Sequence, residues 1–365
     1  SVVTAIAKYH MTEMSRDVVD DAMDIHAGKG IQLGPMNYLG HVYMGMPIAI
    51  TVEGANILTR NLMIFGQGAT RCHPFILKEM AAAASDDTDL AIREFDKLLV
   101  SHMLFAIGNS FSALFQGLTF ARFNHQAVSG STGKYYQQLS RMSRALTVCT
   151  DFSMMILGGE LKRREMLSAR LGDVLSQLYI ASSVLKYYED DGRQVADLPF
   201  VDFCLQQCLY EIGKAFDGFF ANFPNRAIAF VMKRLVFPLG NYYRYPSDDT
   251  LQLICSSISA PGTIRNRLSH LCYVGQSDDD VTGAVERAFV AMHDMMPVHK
   301  TLLTAQSEGI LDKNLPAIEL FKQAIDAELI DQVQYDNLLQ TEQLRIRTID
   351  VDAFAAKDYP GANVK

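Results

Sequence analysis

Almost every apolar run in this chain repeats with the period of an α-helix, and almost none alternates as a half-buried strand would. Ile6, Met11, Met14, Val18, Val19, Ala22 and Ile25 form one stripe, with Lys8, Glu13, Arg16, Asp17, Asp20 and Asp21 largely off it. That spacing predicts a helix from Val2 to Ala27, stopped at Gly28-Lys29-Gly30, where glycine accepts the left-handed conformation. Further helices are expected over about 53–65 (Thr51 as its N-cap), 88–125, 133–157, 161–189, 200–220, 226–236, 247–257, 281–296, 315–327 and 331–347. The best strand candidate, Pro47 to Val52, is a single short run. The fold class expected is therefore all-α.

Ser85-Asp86-Asp87 reads as a cap and linker after an alanine run, and places a domain boundary between residues 1–84 and 85–365. Leu98 to Ala121 carries no charge, but its Ser, His, Asn and Gln residues are spread around the helix. Polar groups are costly in hydrocarbon, so a long buried helix in an all-α core is the expectation rather than a membrane span. The net charge of −8 argues against a non-specific nucleic-acid binder. Six cysteines without framework spacing fit a reducing cytoplasm. Cys204 and Cys208, one helical turn apart, fit a core better than a metal pair. The amino end has no apolar signal core, and Val2 onward already reads as helix interior. A carboxy-terminal piece of a longer protein is the expectation.

Chemistry concentrates in Ile48-Ala-Ile-Thr-Val-Glu53-Gly54-Ala-Asn-Ile-Leu-Thr-Arg60, where a carboxylate sits beside a glycine as an apolar run turns into a helix. Upstream, Ala22-Met23-Asp24-Ile25-His26-Ala27-Gly28-Lys29-Gly30 ends a helix on two glycines. Together the two segments resemble the flavin turn and the active-site helix of acyl-CoA dehydrogenases. Leu33-Gly-Pro-Met-Asn-Tyr-Leu-Gly40, Arg170-Leu-Gly-Asp-Val-Leu-Ser-Gln-Leu-Tyr179 and Asn222-Phe-Pro-Asn-Arg226 are similar to the prokaryotic long-chain branch of that family, which acts in fatty-acid β-oxidation. Asp24, Ala27, Ala55 and Ile57 depart from residues common among relatives, and Met44-Gly45 replaces an Arg-Asp pair.

The resemblance implies that residues 1–84 end a dehydrogenase helical bundle and that 85–365 form a helical extension. It implies Glu53 as the base that takes the α-proton of a long-chain acyl-CoA, giving a trans-2-enoyl-CoA. Glu53 and Gly54 then bind substrate, and Gly28 and Gly30 approach FAD. Plain helix-stop roles remain open for both glycines. Partners implied are an electron-transfer flavoprotein or similar acceptor and further copies of the chain. The resemblance also implies a cytoplasmic place, with peripheral contact at the inner-membrane surface. The piece alone is expected to be inactive. An alternative is a helical interaction or membrane-docking module without catalysis of its own.

Other motifs are weaker. Ser129-Gly-Ser-Thr-Gly133-Lys134 lacks the first glycine and the preceding strand of a phosphate loop. Lys162-Arg163-Arg164, with Arg141, Arg144 and Arg170, forms a basic cluster for which a solvated face is the ordinary explanation and an anionic surface the sharper one. Arg60 reads as an ion-pair arginine before a phosphate ligand. No His or Cys spacing, including His270/Cys272 and His293/His299, indicates a metal site.

Overall fold

The computed structural model describes residues 2–68, 73–277 and 280–355, and among them there are helices and no strand. Helices Gly133–Leu157 and Arg226–Val236 fall where periodicity and capping place them. Asn225 caps the second, its side-chain oxygen accepting from the amides of Ala227 and Ile228. Residue Cys72 and the tail from residue 356 lie outside the described residues.

Two compact units divide the chain. One joins residues up to Glu13 with Ile50–Ile254, and the other joins Met14–Ala49 with the chain from Cys255 onward. The units do not part at Ser85, because Ile76–Ala83 packs back on Thr88–Leu118 within the first. That unit is built on Gly133–Leu157, Glu165–Asp190, Leu198–Asn222 and Arg226–Val236. Their inward faces meet in Met142, Leu171, Leu205, Ile212, Phe216 and Phe219, all fully buried. Cys208 belongs to this core as a free thiol, and burial pushes its pKa up to about 12, so it stays neutral. The second unit has its own smaller core around Leu302, Leu311, Phe321, Ala324 and Leu338.

Three expectations are corrected. Residues 47–52 do not form a strand: Pro47 to Thr51 end the helix Gly40–Thr51, and Val52 lies in the bend beyond it. The run is apolar without alternation, and the proline removes only one ladder donor, which a helix tolerates at a cost. Thr51 is consequently the last residue of that helix rather than the cap of the next. The following helix begins at Asn56 and widens into a π-helical stretch over Thr59–Gln67. A helix over Met296–Ser307 was not anticipated; Pro297 sits in its first turn, where the missing amide costs nothing.

The third correction concerns Thr88–Leu118, which is not a buried core helix. Leu104 and Phe111 are 65% and 71% exposed, whereas Asn109 and Gln116 are buried. The helix is thus amphipathic in the inverted sense, with polar groups against its own unit and an apolar face outward. It is one helix long and apolar enough to cross a membrane, by length and composition only. It stops at Phe120 and Ala121, both left-handed although neither is glycine.

Candidate functional site

Glu53 lies between two helix ends, not in the first turn of the second. Its backbone is left-handed, with φ of 55°, and Gly54 follows at 86°. A left-handed glutamate costs roughly 1–2 kcal/mol against an ordinary conformation, so the surroundings must hold it there. They do so through the next carbonyl. Lys8 Nζ donates to Gly54 O at 3.0 Å and Thr59 Oγ1 donates to it at 3.2 Å. Lys8 also donates to Asn56 Oδ1, and the buried Asn56 amide donates to Thr12 Oγ1 at 2.8 Å and Glu13 Oε1 at 2.7 Å. The turn is pinned from below by the first helix, while the Glu53 side chain remains exposed. No hydrogen bond or ion pair engages its carboxylate among the described residues. An exposed carboxylate on a fixed backbone is available to accept a proton from a group brought to it.

Arg60 is an ion-pair residue. Its Nε and Nη2 donate to the two oxygens of Asp173 at 2.8 and 2.6 Å, joining the π-helical stretch to Glu165–Asp190. That hydrogen bonding holds the guanidinium above its ordinary pKa. Burial lowers the pKa of nearby His10 and raises that of Tyr9.

Gly28 and Gly30 lie in the other unit, in the short helix Gly28–Ile31 after left-handed Ala27. The two glycines differ. Nothing stands within 4 Å of where a Cβ of Gly28 would project, so its backbone is open to a flat group. At Gly30 a Cβ would meet Met23 Sδ at 3.2 Å, so the missing side chain there lets the turn close on the preceding helix. Its carbonyl accepts from Asn37 Nδ2 at 2.8 Å, and Lys29 Nζ donates to Thr348 O. The open backbone of Gly28 fits the approach of an isoalloxazine; Gly30 is already filled.

The basic cluster does not form one face. Arg141 is fully buried, Arg163 pairs with Glu160, and Arg144 donates to Asn109 Oδ1 at 3.2 Å. A group not anticipated is His73, Glu79, His102 and Asp151, which three separate segments bring together. Their separations in the chain follow no ligand pattern.

The chain matches, over residues 70–354, the family model described as acyl-CoA dehydrogenase, C-terminal, bacterial type. It belongs to that family, and the all-α architecture agrees with this membership. No solved structure matches the chain. The membership places it among oxidoreductases of the acyl-CoA dehydrogenase class, whose usual cofactor is FAD.

Proposed function

We propose that this chain serves as the carboxy-terminal part of an FAD-dependent dehydrogenase that oxidises long-chain acyl-CoA to trans-2-enoyl-CoA in β-oxidation, with Glu53 as its base. The observation that carries the reading is the exposed, unpartnered Glu53 carboxylate on a backbone held left-handed by Lys8, Asn56 and Thr59. Bound FAD supplies the acceptor for the hydride that leaves Cβ of the thioester. Glu53 takes the proton from Cα, and its backbone amide, with Gly54 beside it, orients the thioester carbonyl. Substrate closing over Glu53 excludes water and strengthens it as a base. Gly28 would lie against the cofactor of a second copy, which supports a homo-oligomer. Electrons would then pass to an electron-transfer flavoprotein or a similar acceptor.

The Glu53 side chain is exposed among the described residues, so this chain should be inactive alone. Purified by itself it should show no flavin absorbance, whereas the flavin of the complete protein should bleach with a long-chain acyl-CoA. Stoichiometric FAD on this chain, or a complete protein whose flavin ignores acyl-CoA, would refute the reading.

The outward apolar face of Thr88–Leu118 favours a second role, peripheral docking of a cytoplasmic protein on the inner-membrane surface. A contiguous apolar surface of this kind marks an interaction site. The chain should float with phospholipid vesicles, and Leu104→Ser combined with Phe111→Ser should leave it at the bottom of the gradient. Equal recovery of both proteins in the bottom fraction would dismiss the docking.

A further inference from the structure

The geometry points to a divalent transition-metal site at His73, His102 and Asp151, unrelated to Glu53. His73 Nε2 lies 2.8 Å from Asp151 Oδ1, and His102 Nε2 lies 3.6 Å from the same oxygen. One ligand atom from each residue falls within 4.8 Å of the other two. Tetrahedral bonds of about 2.1 Å need ligand atoms roughly 3.4 Å apart, so small side-chain rotations close the set.

Three features make this more than a chance meeting of polar groups. First, the site is buried: the side chains of His73 and Asp151 are 5% and 7% exposed. Second, Asp151 Oδ2 is buried and has no hydrogen-bond partner among the described residues. A buried orphan carboxylate oxygen is costly unless a cation or donor completes it. Third, His102 is already oriented. Its Nδ1 lies 2.9 Å from Glu79 Oε1, so Nδ1–H donates there and the Nε2 lone pair faces Asp151. A carboxylate holding the far nitrogen of a ligating histidine is the arrangement that metal sites use to fix the tautomer. Phe75 stacks on the His102 ring at 5.2 Å and locks its plane.

His73 must adjust. Its Nδ1 accepts from the amides of Phe75 and Ile76 at 3.3 and 3.4 Å, which leaves the proton on Nε2. Metal at Nε2 moves that proton to Nδ1, so coordination replaces the 2.8 Å hydrogen bond from Nε2 to Asp151 Oδ1 as well as the two longer ones at Nδ1. Two imidazoles and one carboxylate suit Zn²⁺, Fe²⁺ or Co²⁺ over Mg²⁺ or Ca²⁺. Three protein ligands leave a coordination position open, and His102 and Asp151 line a cavity of about 560 Å³ together with Leu99, Met103, Ile107 and Phe152. Structural zinc sites are closed, so this one is built to present the metal to an apolar or amphiphilic molecule.

The test uses the full chain, free of any histidine tag and stripped with chelator. Zn²⁺ titrated by calorimetry should bind at one equivalent, and Co²⁺ should give the visible absorption of a low-coordinate N/O site. His102→Gln and Asp151→Asn should each weaken Zn²⁺ at least 100-fold, and Glu79→Gln by about 10–100-fold. Circular dichroism should show unchanged helix content in each variant. Should a variant melt early, the imidazole nitrogen shifts of His73 and His102 in the unaltered chain decide, because Zn²⁺ must move both and leave His10 and His270 in place. Absence of a stoichiometric site, unmoved shifts, or variants that bind like the parent would overturn the assignment.

Discussion

Glu53→Gln in the complete dehydrogenase should lower the rate of flavin reduction by acyl-CoA by about 10²–10⁴-fold, the usual contribution of a positioned base. The amide keeps the size and hydrogen-bonding reach of the carboxylate and removes its basicity. Substrate binding should therefore change little, and the loss should appear in kcat and in kcat/KM together. A second substitution separates chemistry from architecture. Glu53 sits at φ 55°, a conformation glycine adopts without penalty. Glu53→Gly should therefore leave the melting temperature unchanged or raise it, by about 1 kcal/mol in stability. Were Glu53 only a turn residue, activity would survive that change. Loss of flavin reduction in a variant as stable as its parent would show that the strained position is kept for its carboxylate. Normal reduction in either variant would remove Glu53 from the mechanism.

The helices were legible because caps and stops act within a few residues. Asn225 before Arg226–Val236 and Gly158 after Gly133–Leu157 are signals of that local kind. What periodicity cannot state is which face of a helix turns inward. In Thr88–Leu118 the spacing groups Asn109 with Gln116 and Leu104 with Phe111, but only packing against Gly133–Leu157 shows that the polar pair lies inside. The pinning of Glu53 was hidden for a related reason. Lys8, Thr12 and Glu13 reach Gly54 and Asn56 across more than forty residues of chain. The glutamate itself could be found from its motif, but its left-handed backbone could not, since it depends on those distant partners. His73, His102 and Asp151 are the extreme case, with each residue unremarkable on its own segment and meaning arising only where the segments meet.

Arg141→Ala should destabilise the first unit by about 3–5 kcal/mol, through lost packing and an unpaired buried acceptor. The sequence groups Arg141 with surface arginines, yet its side chain is fully buried in an aromatic cage. Its guanidinium carbon lies 5.2 Å from the Tyr242 ring centroid and 5.8 Å from those of Phe237 and Tyr243. Nη1 donates to the Tyr242 hydroxyl at 2.5 Å and to that of Tyr243 at 3.3 Å, and Nη2 donates to Val236 O at 3.0 Å. Those bonds fasten Gly133–Leu157 to the end of Arg226–Val236 and to the segment that follows it. The tyrosine hydroxyls keep a second partner, since both donate to Gln138 Oε1, at 3.0 and 2.6 Å. The Val236 carbonyl has no such replacement. Arg141→Met, which fills most of the volume and removes the buried charge, should therefore cost about 1–2 kcal/mol, much less than alanine. Arg141→Lys should fall between them, because one ammonium cannot match the planar fork that reaches two hydroxyls and a carbonyl. For a unit of this size the alanine variant should melt roughly 10 °C early. Equal melting of the alanine and methionine variants would show that the cage is held by charge alone, and an unshifted alanine variant would show that the cage does not hold these helices at all.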